Sequence, residues 1–328
     1  MTLRIAVLDD YQNVALKLAD WSKLGPDVEI KVFDRNLGSE DEAVRALAGF
    51  DVICLMRERM ALPASLIERL PNLRLVNVTG ARVRVIDFDA AVARGITVCH
   101  TYAGDSKNAT PEMAWGLILA SARHLAEEHQ RVRTGGWQTT IGTKLGGKTL
   151  GIVGLGKLGS RMASIAKAFE MEVIAWSQNL TDERAAECGV RRVDKETLFR
   201  EADVVSLHLI LSDRSRHVVG RSEIGLMKRG AILVNTSRGP LIDEAALIEA
   251  LNGGQIRAGL DVYDVEPLPA NHPLRSAPNV TLSPHLGYVT EEAYELFYRD
   301  IVENIIAWRE GAPVRVLAAP EAPIRGDL

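Results

Sequence analysis

The sequence predicts an α/β protein made of two doubly wound parallel sheets. Three observations carry that expectation. Short apolar β-type runs alternate with helix-forming segments, which is how βαβ units read in one dimension. The alternation runs twice, once on each side of a glycine-rich turn near mid-chain. The 328 residues also exceed the roughly 250 to 300 at which a single core tends to divide.

In the first series, residues 3–8, 28–33, 51–56, 73–78 and 96–99 read as strands, and residues 40–47, 64–70 and 87–94 as the helices between them. Ligands of such sheets collect beyond the C-terminal strand ends. Two loops there are candidates. Arg57, Glu58 and Arg59 follow the third strand, either as a solvated charge cluster or as an anion site. Thr79, Gly80, Ala81 and Arg82 follow the fourth, where a glycine lets backbone amides face an anion. Thr110 as N-cap and Pro111 at the first helical position then open a long helix to about Arg133, stopped by Gly135 and Gly136. Its apolar residues Met113, Trp115, Leu117, Ile118 and Leu119 suit a core or a subunit interface.

The mid-chain turn is the most informative stretch. Leu150, Ile152 and Val153 form a strand, Gly154, Gly156 and Gly159 follow in the spacing G-x-G-x-x-G around Lys157 and Leu158, and Met162, Ile165, Ala166 and Phe169 continue at helical spacing. A strand, a tight glycine turn and a helix N-terminus together present backbone N–H groups and a positive dipole end to a pyrophosphate. A dinucleotide is therefore expected here. A second series follows, with strands at 173–176, 203–209, 231–235, 258–262 and 280–282, and helices at 181–187, 194–200 and 244–251.

An acid about 20 residues past the glycines ordinarily bonds the ribose 2′-OH. Ser177, Gln178 and Asn179 stand at that strand end, with no carboxylate. NAD or NADP can be accommodated, and these donors tilt the expectation slightly toward NADP; Arg184 further on either reaches back to this end or, the reading its helical position favours, faces solvent.

Composition removes several function classes. Hydrophobic residues are 47% and charged residues 25%, as in an ordinary folded enzyme. A net charge of −4 leaves no basic footprint for nucleic acid. No apolar run approaches 18 residues, so no membrane span is expected. Cys54, Cys99 and Cys188 are scattered without a C-x-x-C pair, no leader opens the chain, and a reducing cytoplasm fits. No metal is expected.

The chemistry candidates follow later strands of the second series. Arg238 lies in NTSRGP, Glu266 in DVYDVEP, and His285 in SPHLG. Singly, each has a plain reading: a turn arginine, a cap acid before a proline, a loop histidine. Together, in this order after a dinucleotide turn, they make a set able to orient an acid, hold a tautomer and move a proton. Residues 290–309 close the pattern as an amphipathic helix with Tyr294, Phe297, Ile301, Ile305 and Trp308 on one face. A proline-bearing tail follows.

The blocks VGLGKLG, NTSRGPLIDE, AGLDVYDVEPLP and SPHLG resemble those of the D-isomer-specific 2-hydroxyacid dehydrogenases, and the likeness spans most of the chain. The resemblance implies a Rossmann dinucleotide-binding domain, residues 104–287, inserted in a flavodoxin-like substrate domain, residues 1–103 and 288–328, with the C-terminal segment crossing back over the latter. It implies hydride transfer between NAD(P)H and a small 2-oxo acid of the glyoxylate, hydroxypyruvate or 3-phosphoglycerate type, and a homodimer. Arg238, Glu266 and His285 take the catalytic roles. Thr236 and Asp261 meet the nicotinamide carboxamide, and Gly287 lies beside the cofactor. Arg57, Gly80, Ala81 and Arg82 meet the substrate, joined by Arg238 and His285. The chain departs from the family at Ser177, at the Gly80, Ala81, Arg82 loop and at Tyr288. Two other readings share the fold: a dinucleotide-sensing corepressor, and formate dehydrogenase, which carries Gln in place of the acid.

Overall fold

The chain divides into two compact units, one of residues through Asp105 and from Thr290 on, the other Ser106–Val289. The computed structural model describes residues 2–81 and 83–320. Arg82 thus lies outside the described residues.

In the first unit, β1 (Leu3–Val7), β2 (Val28–Val32), β3 (Val52–Leu55), β4 (Leu75–Val78) and β5 (Thr97–His100) pair in parallel in the order β5-β4-β3-β1-β2. This is the flavodoxin-like order, with its switch point between β1 and β3. The central strands β3 and β4 are buried along their whole length, whereas β2 at the edge alternates half-buried and exposed positions. That contrast is expected when both faces of a parallel sheet are covered. On one face Ile53, Leu55, Val76, Val78 and Val98 pack with Leu47, Leu66 and Ile67 of the short helices. The helix Glu291–Arg309 belongs to the same unit: its Asn304 Nδ2 donates to Asn77 Oδ1 (2.9 Å) and His100 O (3.0 Å). Its aromatic stripe, Tyr294, Phe297 and Trp308, is buried.

The second unit is a seven-stranded parallel sheet of β6 (Thr149–Val153), β7 (Glu172–Trp176), β8 (Arg191–Arg192), β9 (Val204–Leu207), β10 (Ile232–Asn235), β11 (Arg257–Leu260) and β12 (Val280–Leu282). The order β12-β11-β10-β9-β6-β7-β8 is the Rossmann order extended by β12, with the switch point between β6 and β9. Alternate residues feed two cores. Val204, Ile232 and Val234 pack with Trp115, Ile118 and Met162, while Val205 and Leu233 pack with Phe199, Ile224 and Leu247. The apolar residues of the helix Ser106–Arg123 are therefore mostly core of this unit. Large apolar side chains left exposed lie further on, at Leu125, Val132, Trp137 and Ile141.

Three elements differ from expectation. The helix expected at 110–133 begins earlier, at Ser106, and carries Pro111 inside it. Pro111 forgoes one intrahelical bond, which burial of Ala114, Leu117 and Ile118 outweighs. The same helix breaks at His124, whose left-handed backbone (φ 53°) separates it from a second helix, Leu125–Arg133. Past Gly311 the tail is not featureless. Val316–Ala318 forms β13, antiparallel on β5 and the outermost strand on that side of the first sheet.

Candidate active site

Three neighbouring strands of the second sheet, β10, β11 and β12, are each followed by a loop that carries one of the candidate residues. After β10, buried Asn235 shapes the turn: its Nδ2 donates to Arg238 O (2.8 Å) and its Oδ1 accepts from Ser237 N (3.0 Å). Arg238 Nη1 donates to Ser237 O at 2.7 Å. Gly239 packs so closely on the backbone of Tyr263 and Asp264 that no Cβ would fit, which ties the arginine turn to the segment carrying Glu266.

Glu266 and His285 meet. Glu266 Oε2 lies 2.5 Å from His285 Nδ1, and Glu266 Oε1 accepts the Tyr263 backbone N–H at 3.0 Å. Both side chains are about three-quarters buried, with 31% and 23% exposure respectively. His285 sits in the left-handed region (φ 58°), an unusual conformation for a side-chain-bearing residue. Asp261 holds the backbone beside it. Its Oδ1 accepts from Ser283 Oγ (2.6 Å) and Leu286 N (2.7 Å), and its Oδ2 from Gly287 N (2.8 Å). Burial pushes the Asp261 carboxyl above the usual carboxylate range, against the pull of these bonds and the nearby imidazole. Thr110 Oγ1 donates to Gly287 O (2.9 Å), so this threonine clamps the turn rather than capping a helix. Tyr288 meets the His285 ring edge to face at 5.7 Å.

The glycine turn has the shape a dinucleotide needs. Gly154 has φ 102°, and a Cβ there would come within 2.8 Å of His208 O. A Cβ on Gly159 would collide with the Gly154 carbonyl, as expected where helix and strand pack closely. Gly156 faces open space, with nothing within 4 Å of a built Cβ, and is the N-cap of the helix Lys157–Ala168. Lys157 is exposed and Leu158 half-buried. Further along the sheet, Thr236 Oγ1 is buried without a hydrogen-bond partner, a polar atom awaiting an outside group. Open backbone at Gly156 and an orphan hydroxyl at Thr236 both fit a bound dinucleotide.

At the end of β7, Ser177 is half-buried while Gln178 and Asn179 are exposed. Arg184 does not reach this end. Its Nη2 donates to Ser160 Oγ (2.8 Å) and its Nη1 to Glu187 Oε2 (2.9 Å). The guanidinium that does arrive is that of Arg214, from the turn after β9, whose Nε and Nη2 donate to Gln178 Oε1 at 3.0 and 2.6 Å. Sequence reasoning missed it because 36 positions separate the pair.

In the first unit, Arg57 and Gly80 come together. Arg57 N donates to Thr79 Oγ1 (2.8 Å) and its Nη1 to Thr79 O (3.3 Å). The guanidinium lies where a Cβ of Gly80 would be. The Gly80 amide, expected to face an anion, donates instead to Thr101 Oγ1 at 3.1 Å. Ala81 is exposed.

Residues 115–287 match the family described as D-isomer specific 2-hydroxyacid dehydrogenase, NAD binding domain. A glyoxylate reductase of Aeropyrum pernix is 41% identical over 260 residues, 76% of this chain and 77% of that protein. A hydroxypyruvate reductase of Thermotoga maritima is 38% identical over 283 residues, 84% of this chain and 90% of that protein. The crystal structure of a phosphoglycerate oxidoreductase from Vibrio cholerae superposes with a TM-score of 0.88 at 36% identity, covering 95% of this chain and all of that one. The chain belongs to the D-isomer-specific 2-hydroxyacid dehydrogenases, oxidoreductases that pass a hydride between NAD(P)H and a small 2-oxo acid or its 2-hydroxy counterpart.

Proposed function

We propose that this chain is a reductase of small 2-oxo acids such as glyoxylate and hydroxypyruvate, working through Arg238, Glu266 and His285. The observation that carries this reading is the Glu266–His285 pair at 2.5 Å, in the loops after β11 and β12, with Arg238 in the turn after β10, the neighbour of β11. Glu266 accepts from Nδ1, which leaves Nε2 as the ring nitrogen that faces outward to a substrate and fixes the tautomer. His285 is the general acid toward the carbonyl oxygen in reduction and the base in oxidation. Arg238 presents a planar fork of donors to the carboxylate and carbonyl oxygens, orienting the acid and stabilising charge as it develops. A bound nicotinamide supplies the hydride. Gly154, Gly156, Lys157, Leu158 and Gly159 would hold its pyrophosphate, Thr236 and Asp261 its carboxamide, with Gly287 alongside.

The first unit, with Arg57 and Ala81, is the substrate side in this reading, and the second unit carries the coenzyme. NADP(H) is favoured over NAD(H), because no carboxylate stands at the end of β7 to oppose a 2′-phosphate. Trp137 and Ile141, 75% and 94% exposed, and Leu125 and Val132 support a homodimer. Free Cys54, Cys99 and Cys188 fit a cytoplasmic protein.

The test is kinetic. Loss of nicotinamide absorbance is followed with glyoxylate, hydroxypyruvate and phosphorylated 2-oxo acids, using both coenzymes. Turnover with the first two that collapses in His285→Ala and in Arg238→Ala, with coenzyme affinity retained, is expected. Full activity in either variant overturns the assignment.

A further inference from the structure

We infer that Arg214 is the residue by which this chain recognises the 2′-phosphate of NADP(H), with Gln178 holding the guanidinium at the strand end before coenzyme arrives. The inference rests on the coenzyme reading above and gives it a residue.

Strand order makes the placement meaningful. β9 and β7 flank β6, the strand that runs into the glycine turn, and the β6–β9 boundary is the switch point. A side chain that starts in the turn after β9 and bonds a residue at the end of β7 therefore reaches across the C-terminal end of β6. That is the position along the sheet where the adenosine ribose of a coenzyme lies when its pyrophosphate sits on Gly154 to Gly159. The turn that launches Arg214 is itself held in place. Ser215, buried, accepts from Ser212 N (2.8 Å) and donates to Ile210 O (2.7 Å).

Charge separates Arg214 from the cations around it. Arg184 is held by Glu187, Arg191 by Glu201 and Arg192 by Asp182. Among the described residues no carboxylate pairs with Arg214, and Asp213 beside it makes no ion pair with it. Its partner is the neutral amide oxygen of Gln178, which accepts both Nε–H and Nη2–H. An amide oxygen positions a guanidinium without neutralising it. A phosphate dianion offers the same two donors a charged acceptor, and charge-assisted forks of this kind are about twice as strong as neutral ones. Once Arg214 swings to the phosphate, Gln178 is released, and with Ser177 and Asn179 it adds neutral donors to the same end. NADH offers only a ribose hydroxyl at that point, so the guanidinium has no reason to leave the amide.

The experiment measures binding without turnover. NADPH and NADH are titrated by nicotinamide fluorescence, and 2′,5′-ADP and 5′-ADP by calorimetry, into the full chain and its Arg214→Ala, Arg214→Lys and Gln178→Ala variants. Arg214→Ala should weaken NADPH and 2′,5′-ADP by about 10- to 100-fold and leave NADH and 5′-ADP within about 2-fold. Arg214→Lys should fall between, since it keeps the charge and loses the fork. Gln178→Ala should cost NADPH only a few-fold. Equal losses for both coenzymes, or an unchanged NADPH affinity in Arg214→Ala, would overturn the role of Arg214 while the NADP(H) reading stood. A wild-type protein that binds 2′,5′-ADP no better than 5′-ADP would overturn both.

Discussion

Glu266 uses both carboxylate oxygens at once, one on the ring of His285 at 2.5 Å and one on the backbone N–H of Tyr263 at 3.0 Å. The second bond aims the first. Glu266→Gln can keep a hydrogen bond to Nδ1 but carries no charge to balance a protonated ring, so turnover should fall by about 100-fold. Glu266→Ala should fall further, toward the ~10⁴-fold limit of a lost acid–base partner. Coenzyme affinity, measured by fluorescence titration, should move by no more than about 2-fold in both. A Gln variant with wild-type turnover would mean the charge is irrelevant.

Two glycines of one turn should respond differently to a methyl group. Gly159→Ala meets the Gly154 carbonyl and should lower the melting temperature sharply. Gly156→Ala meets nothing within the protein and should melt like the wild type, while coenzyme affinity drops because the methyl occupies the approach to the backbone. Thermal melts and coenzyme titrations on the pair separate the two effects. Equal melting temperatures would contradict the packing described at Gly159.

Thr236 carries a buried hydroxyl with no partner, and such a group typically costs about 1 to 3 kcal/mol. Thr236→Val keeps the shape and removes that cost. The coenzyme-free variant should be more stable to denaturant by about 1 kcal/mol, yet bind coenzyme less well. Unchanged binding would remove Thr236 from the coenzyme site.

His208 gives the protein a pH dependence unrelated to catalysis. Its ring is largely buried, with Nε2 2.9 Å from Ser206 Oγ, and burial lowers its pKa to about 4. An unfolded histidine titrates near 6.5. Between those values the unfolded chain takes up a proton that the folded chain refuses. The associated stability is complete above about pH 6.5 and is lost as pH falls toward 4, roughly 3 kcal/mol in all. Urea unfolding of His208→Gln across this range should show a flatter profile than the wild type. Parallel profiles would show that His208 does not supply the dependence.

Much of the architecture could be read in advance because parallel strands buried on both faces leave continuous apolar runs, and β3, β4, β9 and β10 are of that kind. The glycine turn was legible for a similar reason: three positions each exclude a side chain or need open backbone. What escaped were features decided by long-range packing. Pro111 signals a helix start by local rule, yet the buried face around Ala114 and Leu117 carries the helix back to Ser106. His124 breaks that helix with no glycine to announce it. β13 is three residues long and exists because β5 offers an edge. The meeting of Arg214 with Gln178 depends on strand order, and that of Thr110 with Gly287 across 177 positions on where the helix Ser106–Arg123 packs.

The first sheet borrows its outermost strand, Val316–Ala318, and the Asn304 that bonds Asn77 from beyond the whole second unit. During synthesis the N-terminal part of that lobe therefore emerges long before the pieces that finish it. At 5 to 20 residues per second the intervening unit alone takes on the order of ten to forty seconds to appear. The inserted lobe, whose residues are contiguous, is then the first able to mature. Completion of the first sheet thus waits on residues made after the whole inserted lobe.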